Sequence, residues 1–260
     1  ESYLIINGAI TAIGDSSNSI SLSSLNDSWK GMYVLNSNRK SHLANVSMSN
    51  ISALESGVLK LTGAVSFYKS DVDLNNVQLD NIFAEDAINI IESSYSLRSI
   101  KINNSISDGV DSDYSNGVIE SSDFLNIGGD ALDFSGSNAS INQVKIINVK
   151  DKAVSAGEES LVKINNSLFK NIGVGVASKD GSNTFIAKTT ISDYKLYGAM
   201  SYVKKDFYSK PPSLIVNDCI LDQKKPFFRE KGTILTVDNL AFPEKDINIE
   251  ALYNYEAMAK

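Results

Sequence analysis

Polar and apolar residues alternate along most of this chain, and one short pattern returns at a nearly constant spacing. An apolar residue, any residue and an asparagine recur together, and the asparagines are Asn81, Asn104, Asn126, Asn148 and Asn171. Successive members lie 22 or 23 residues apart; Asp193 continues the series after another 22 residues, and Asn50 precedes it by 31. A spacing kept over six units predicts a solenoid, in which each repeat packs on the one before. The longer first interval indicates one coil that carries an excursion.

Each repeat contains short strands joined by tight corners. The segments SINQVKII (140–147) and ALDFS (131–135) alternate as strands, and no segment keeps a helical period over two turns. The pattern predicts an all-β fold, a right-handed single-stranded parallel β-helix of about ten coils with repeats of about 22 residues. Equivalent strands would lie about 4.8 Å apart along the axis. The asparagines would stack at one corner and hydrogen-bond to each other.

Two apolar columns support this arrangement. One lies two residues before the corner and contains Leu79, Ile102, Phe124, Ile146, Phe169 and Ile191. The other contains Val110, Leu132, Val154 and Ala177. We expect both columns to point into the cylinder and form its core.

The regular coils extend over about residues 40–222 without a linker, so residues 1–260 are predicted to form one domain. Residues from about 226 to 260 begin strand-like and end in a short helical pattern, which suggests a cap over the core. An uncovered strand edge at the N-terminal end would invite association. We therefore expect a fragment of a longer chain, with upstream sequence, a neighbouring domain or a partner chain covering that end.

Composition excludes several classes of protein. Of the 260 residues, 42% are hydrophobic and 21% charged, as in globular proteins. One cysteine excludes a disulfide scaffold or zinc cluster, and one histidine leaves little room for histidine chemistry. A net charge of −7 argues against nucleic-acid binding, and no apolar run is long enough to span a membrane. The acidic, Asn/Ser-rich composition favours an extracellular or cell-surface protein.

The repeat register gathers charged residues on one face. Four residues after the corner come Asp108, Asp130 and Lys152. Seven residues after it come Asp111, Asp133, Ser155 and Ser178, and Asp113 begins a further column. Because these positions adjoin an inward apolar column, we expect them to point outward together.

Several chemistries could use this face. Aspartates about 4.8 Å apart repel, so a shared proton, a calcium ion or the Lys152 ammonium must compensate. Carboxylates near 5 Å apart suit a retaining glycosidase, and aspartates two coils apart reach the inverting limit. A lysine beside acids also suits β-elimination from a uronate, with a cation neutralising the sugar carboxylate.

The residues of this predicted site fall into three groups. Asp111 and Asp133 are the predicted catalytic or ion-holding pair, with Lys152 and Lys179 as auxiliary bases or neutralising charges. Asp108 and Asp130 would hold calcium if it binds. The predicted substrate contacts are Asp113, Ser155, Glu158 and Asp180. The segment YVKKDFYSKPP (202–212) is a basic and aromatic loop of the kind that lines substrate grooves or contacts partners.

The segments GGDALDFSGS (128–137), DKAVSAGEES (151–160) and GVASKDGS (175–182) resemble bacterial β-helix proteins of uncertain role. With the repeat over roughly residues 40–220, the chain resembles the pectate-lyase-like superfamily. This resemblance implies the fold, on which members carry different activities or none. Our leading hypothesis is an exported carbohydrate-active β-helix that binds or acts on an extended polysaccharide, by lyase or glycoside hydrolase chemistry. The alternative is a non-catalytic structural or adhesive module of a larger surface protein.

Overall fold

The computed structural model describes residues 2–15, 17–25, 27–56, 59–222 and 224–246. All regular structure within these ranges is β-strand, and no helix occurs in them. The strands are β1 (Leu4–Asn7), β2 (Thr11–Ile13), β3 (Ile20–Leu22), β4 (Met32–Ser52), β5 (Leu54–Ser56), β6 (Leu59–Leu61), β7 (Gly63–Phe83), β8 (Asp86–Ile91), β9 (Ser94–Arg98), β10 (Lys101–Ser105), β11 (Asp108–Asp113), β12 (Asn116–Glu120), β13 (Asp123–Ile127), β14 (Leu132–Ser135), β15 (Asn138–Asn142), β16 (Lys145–Gly157), β17 (Leu161–Asn165), β18 (Leu168–Lys179), β19 (Asn183–Ala187), β20 (Thr190–Tyr194), β21 (Ala199–Tyr202), β22 (Ser213–Asn217), β23 (Ile220–Leu221), β24 (Phe227–Arg229), β25 (Ile234–Val237) and β26 (Leu240–Ala241).

The strands wind into a parallel β-solenoid of about 9 turns with repeats of about 23 residues. This confirms the predicted parallel β-helix with slightly fewer coils than expected. The first turns are longer than the repeat, since Leu4 pairs with Met32 and Met32 with Val65. The excursion predicted between Asn50 and Asn81 includes the antiparallel β5–β6 hairpin. The additional residues in these longer turns account for the lower number of coils.

The asparagine ladder lies at one corner, as predicted. Each side-chain amide donates to the preceding asparagine's carbonyl oxygen, at 3.2 Å for Asn104 to Asn81, 3.1 Å for Asn126 to Asn104 and 3.0 Å for Asn148 to Asn126. The backbone there is left-handed, with φ of 57° at Asn126. Asparagine adopts this conformation more readily than most residues. The same residue type therefore fixes the corner and links the coils.

A second ladder inside the solenoid was not predicted from the sequence. We call it the serine file; it consists of Ser93, Ser115, Ser137, Ser160 and Ser182, all of them buried. Each hydroxyl oxygen accepts the backbone N–H of the equivalent residue in the preceding coil, from Ser70 N–H onward, at 2.8–3.1 Å. These bonds supply partners for corner amides that would otherwise be buried unsatisfied.

The apolar columns form the core, with one correction. The column before the corner is fully buried from Leu79 to Phe169. In the second column, Val154 pairs with Val176 and not with the predicted Ala177. The segment after Asn171 is one residue shorter than that after Asn148, so Val174 aligns with Lys152. Ser178, predicted to face outward, consequently lies beside Ala156 and is buried.

The C-terminal coils carry a second apolar cluster apart from the main core. It contains Val174, Ala177, Met200, Tyr202 and Phe228. The outward column that is acidic in earlier coils has therefore become apolar and covered. The predicted C-terminal cap is strand-like through β24, β25 and β26, and its predicted helix lies outside the described residues. In the described ranges no helix is long and apolar enough to cross a membrane.

Candidate functional site

One outer face of the middle coils carries two aligned columns of polar residues. Asp108 pairs in register with Asp86 in the coil before, and Asp130 continues that column toward Lys152. Beside it, Asp111 pairs with Asn89 and Asp133, and Asp133 with Ser155. We call Asp86, Asp108, Asp111, Asp113, Asp130 and Asp133 the acidic face. Strand alternation produces it, because its neighbours Val110 and Leu132 point into the core.

Burial and mutual repulsion raise the pKa of most of these carboxyls. Burial and then Asp108 raise the pKa of Asp86 to about 8. Burial and then Asp130 raise the pKa of Asp108 to about 7. Burial and then Asp133 raise the pKa of Asp113 to about 6, and burial with Asp86 holds that of Asp111 well above its ordinary value. Near neutral pH the acidic face therefore holds protons, one of the three predicted ways to offset the repulsion.

The Lys152 ammonium provides another of the predicted ways to offset the repulsion between the carboxylates. Its Nζ lies 2.7 Å from Asp151 Oδ2 and 3.2 Å from Asp130 Oδ1, and the residue is only 3% exposed. The Lys152 backbone N–H also donates to Asp130 Oδ1 at 2.8 Å. The geometry therefore favours the neutralising role of Lys152 over the role of a base.

A cavity of about 240 Å³ opens beside this ion pair. Both signs of charge line it: Asp108, Asp130, Asp133, Asp151, Lys150, Lys152, Lys179 and Lys204. Five of these residues were predicted site residues, so the register brought them together. Asp151 Oδ1 is buried there without a hydrogen-bond partner in the described part of the chain, and burial with Asp130 raises the pKa of Asp151 to about 6.

Two other predicted residues lie beside the cavity without lining it. Asp111 adjoins Asp133 in the preceding coil, and Asn89 Nδ2 donates to its Oδ2 at 3.2 Å. Asp113 lies farther along the strand, where Glu158 and Lys205 affect its titration. Both residues are half-buried, so a ligand along the coil face would reach them.

The remaining predicted substrate contacts occupy structural positions. Ser155 is fully buried, because the covered C-terminal part of its column begins there. Asp180 is 2% exposed, and its Oδ1 accepts the backbone N–H groups of Lys204 and Lys205, both at 2.7 Å. Glu158 forms an ion pair with Lys205. Direct substrate contact does not fit Ser155 or Asp180, and Glu158 lies at the edge of the site.

Sequence reasoning left several cavity residues out of the site. Asp151 directly precedes Lys152, and this adjacency is the one sequence signal for it. The strand shifts register between Val149 and Lys152, so alternation along the strand does not predict where Asp151 points. Lys204 reaches the cavity from the loop at residues 202–212, which follows no repeat. Lys150 is an exposed lysine that nothing in the repeat pattern marks.

Groups of the protein itself already engage Asp108 and Asp130, the two residues predicted to hold calcium. Among the residues that the structure describes, no three His, Cys, Asp or Glu side chains are placed to hold an ion. Both carboxylate oxygens of Asp130 contact the Lys152 ammonium, at 3.2 and 3.3 Å. One oxygen of Asp108 accepts the Asp130 backbone N–H at 2.8 Å. Lysine thus occupies the position in which a cation was expected.

Solved structures with similar folds include polysaccharide-degrading enzymes. An alginate lyase from Paenibacillus sp. str. FPU-7 has a TM-score of 0.57 and 12% identity, covering 93% of this chain and 87% of its own. The catalytic domain of a GH87 α-1,3-glucanase in complex with nigerose has a TM-score of 0.47 and 11% identity, covering 91% and 62%. A mannuronic acid specific polysaccharide family 6 lyase from human gut microbiota has a TM-score of 0.43 and 9% identity, covering 95% and 72%.

The similarity to the alginate lyase, at 12% identity, shows the fold alone. No curated protein matches the chain. A family model described as "Right handed beta helix region" matches residues 86–239, which is more than half of the chain and includes the acidic face. The stacked parallel coils and this match together show that the chain belongs to the right-handed β-helix family, with the pectate-lyase-like fold that the sequence resemblance implied.

Proposed function

We propose that this chain is an exported enzyme that binds an extended polysaccharide along the acidic face and hydrolyses its glycosidic bonds. The observation that carries the proposal is a row of buried and half-buried carboxyls, Asp86, Asp108 and Asp113, beside an open cavity, with pKa values raised to about 8, 7 and 6. Glycoside hydrolysis needs one carboxyl that donates a proton and one ionised carboxylate. Such a row holds both forms near neutral pH.

The acidic face is poorly explained as a stabilising feature. The pKa values of Asp86, Asp108 and Asp111 are raised chiefly by burial and then by neighbouring carboxyls. Carboxyls whose folded pKa values are raised lower the stability of the fold at neutral pH, and a fold tolerates them where they serve a site.

We assign the ionised role to Asp133. It lines the cavity, where its Oδ1 accepts the backbone N–H of Phe134 at 3.0 Å. Asp111 lies beside it in register, about 4.8 Å away along the axis, and Asp108 lines the same cavity. The proton for the leaving oxygen comes from Asp111 or Asp108, because burial and neighbouring carboxyls raise the pKa values of both. Neighbouring carboxyls at this spacing favour the retaining geometry.

A second reaction is favoured by one observation. Lys179 lines the same cavity as Asp133, and a lysine at that place could take the α-proton of a uronate in β-elimination. The lysines of the cavity would also attract a polymer that carries carboxylates. Elimination leaves an unsaturated sugar end, whereas hydrolysis leaves two saturated ends, so the products separate the two reactions.

The test is a panel of uronate-containing and neutral polysaccharides, with new reducing ends and unsaturated products measured separately. We expect Asp133→Asn and the double variant Asp111→Asn, Asp133→Asn to lose activity by about 10²-fold or more. The melting temperature of the double variant should hold or rise, because repulsion is relieved. Asp123→Asn is the matched control, since Asp123 is a half-buried aspartate on β13, outside the acidic face.

Four outcomes decide the proposal. Loss of reducing-end production in Asp133→Asn, with Asp123→Asn unchanged, supports hydrolysis. Unsaturated products that disappear in Lys179→Met would replace it with elimination. Binding of a polymer by the wild-type protein without any cleavage would indicate an adhesive module, and neither binding nor cleavage would refute a carbohydrate-active role.

A further inference from the structure

A loop on the C-terminal side of the acidic face presents exposed aromatic rings. We call residues 203–212 the aromatic loop. Phe207 is 73% exposed, and its ring centroid lies 4.6 Å from that of Tyr208 with an interplanar angle of 35°. A ring this exposed contributes little to the folded state, because burial of apolar area is what stabilises it.

The base of the aromatic loop is fixed to two coils. Asp180 Oδ1 accepts the backbone N–H groups of Lys204 and Lys205, and Glu230 Oε2 accepts that of Val203 at 2.6 Å. The Lys205 ammonium pairs with Glu158. The base of the loop is therefore held in place before any ligand arrives, which lowers the entropy lost on binding.

A third aromatic residue meets the loop from the solenoid itself. Tyr114 follows Asp113 at a left-handed corner, with φ of 50°, and is 63% exposed. Its ring lies over Gly136 in the next coil, where an added Cβ would be 2.7 Å from Tyr114 Cδ1. Asp113, Ser135 and Gly157 pair in register, so Tyr114 and Glu158, which follow the first and last of them, lie at the same corner two coils apart. Glu158 in turn pairs with Lys205 of the aromatic loop, so the loop and Tyr114 lie at the Asp113 end of the acidic face.

We propose that Tyr114, Phe207 and Tyr208 form a sugar-stacking subsite for one ring of the polysaccharide. This inference rests on the proposed function and names a binding position that lies outside the cavity. The apolar C–H face of a pyranose ring would cover exposed aromatic area, while Asp113 and Glu158 would accept hydrogen bonds from its hydroxyl groups. The subsite continues the acidic face, and this continuity points to a further ring of the same polymer.

This placement predicts a dependence on polymer length. A short oligosaccharide that fills only the cavity does not reach the aromatic loop, whereas a longer chain contacts both. Phe207→Ala, and Tyr114→Asn, which keeps a residue suited to the left-handed corner, should each weaken binding of the long polymer about tenfold. Binding of the shortest oligosaccharide recognised by the protein should not change.

The experiment measures polymer affinity by titration calorimetry in the Asp133→Asn background and cleavage in the active background. Phe185→Ala is the matched control, because Phe185 is exposed on β19, away from the acidic face. Weaker long-polymer binding in both subsite variants, with Phe185→Ala unchanged, supports the subsite, whether or not the wild-type protein cleaves. Wild-type cleavage with unaltered affinity in Phe207→Ala and Tyr114→Asn overturns the subsite and leaves the proposed function standing. A wild-type chain that binds none of the polymers overturns both.

Discussion

Replacing Lys152 with methionine should destabilise the protein in a way that depends on pH. Methionine keeps much of the apolar length of the lysine side chain, so the change removes the charge while creating little empty space. It leaves Asp130 and Asp151 buried without the ammonium that lies 3.2 and 2.7 Å from their nearest oxygens. The consequence is two buried carboxylates that have lost their contact with the Lys152 ammonium in a region already rich in acid.

The magnitude follows from the burial of the group. Breaking a buried ion pair by removing one partner costs about 3–5 kcal/mol, whereas an exposed pair is worth about 0–1 kcal/mol. Lys152 is 3% exposed and belongs to the first class. We therefore expect a loss of about 3–5 kcal/mol in the free energy of unfolding at pH 7.5, which lowers the melting temperature by roughly 10 °C for a chain of this size.

Acid should relieve this loss. Burial and Asp130 already raise the pKa of Asp151 to about 6 with Lys152 present, and without Lys152 the folded pKa of Asp151 rises further. A carboxyl whose folded pKa is raised destabilises the fold as pH increases from its unfolded pKa through the folded one. The deficit of Lys152→Met should therefore be full above that window and shrink to less than half by pH 5.

Urea unfolding at pH 7.5 and pH 5, followed by circular dichroism, measures both quantities. Lys150→Met is the control, because Lys150 lines the same cavity and is exposed. The reasoning is refuted if the two variants have the same unfolding midpoint at pH 7.5, or if the deficit of Lys152→Met is independent of pH.

Three further perturbations test other parts of the structure. Burial raises the pKa of Asp86 to about 8, so Asp86→Asn should increase the free energy of unfolding by several kcal/mol near pH 8 and leave it nearly unchanged near pH 4. An equal rise in melting temperature at both pH values would contradict this. Asn126 lies at a left-handed corner, so Asn126→Gly removes the ladder amide without straining the backbone, whereas Asn126→Ala also forces an alanine into the left-handed conformation, which costs about 1 kcal/mol more. Equal urea midpoints for the two variants would show that this backbone cost is absent. Asp180→Ala should speed tryptic cleavage of the aromatic loop, because it frees the Lys204 and Lys205 amides, whereas Asp206→Ala should not; equal cleavage rates would show that Asp180 does not anchor the loop.

The fold was readable from the sequence because one residue type performs two tasks at the corner. Asparagine adopts the left-handed backbone and hydrogen-bonds along the axis, so its spacing reports the coil length directly. Once the register was known, the positions of Asp108, Asp130, Asp133 and Lys152 followed from strand alternation. The serine file escaped notice because serine is common in turns, and its pattern does not stand out in a Ser-rich chain.

The errors arose where the spacing changed. A single missing residue after Asn171 moved Val176 into the core column and turned Ser178 inward, and no local signal marks a shortened turn of this kind. Ser155 is predicted as a ligand contact only if the column of Asp111 and Asp133 stays exposed to solvent in the following coils, and it does not. Lys204 enters the cavity from a loop outside the repeat, so its position depends on the tertiary hydrogen bonds made by Asp180.

The serine file also bears on how such a molecule can change in length during evolution. Every serine hydroxyl in the file accepts a backbone N–H from the coil before it, so the hydrogen bonding between any two of these neighbouring coils is the same. Duplication or loss of one complete coil would leave every corner backbone N–H with a serine hydroxyl as its acceptor. An insertion or deletion of a few residues inside a coil would leave one of these N–H groups without an acceptor. Natural variants of this chain should therefore differ in size by whole windings, and smaller insertions should be confined to external loops.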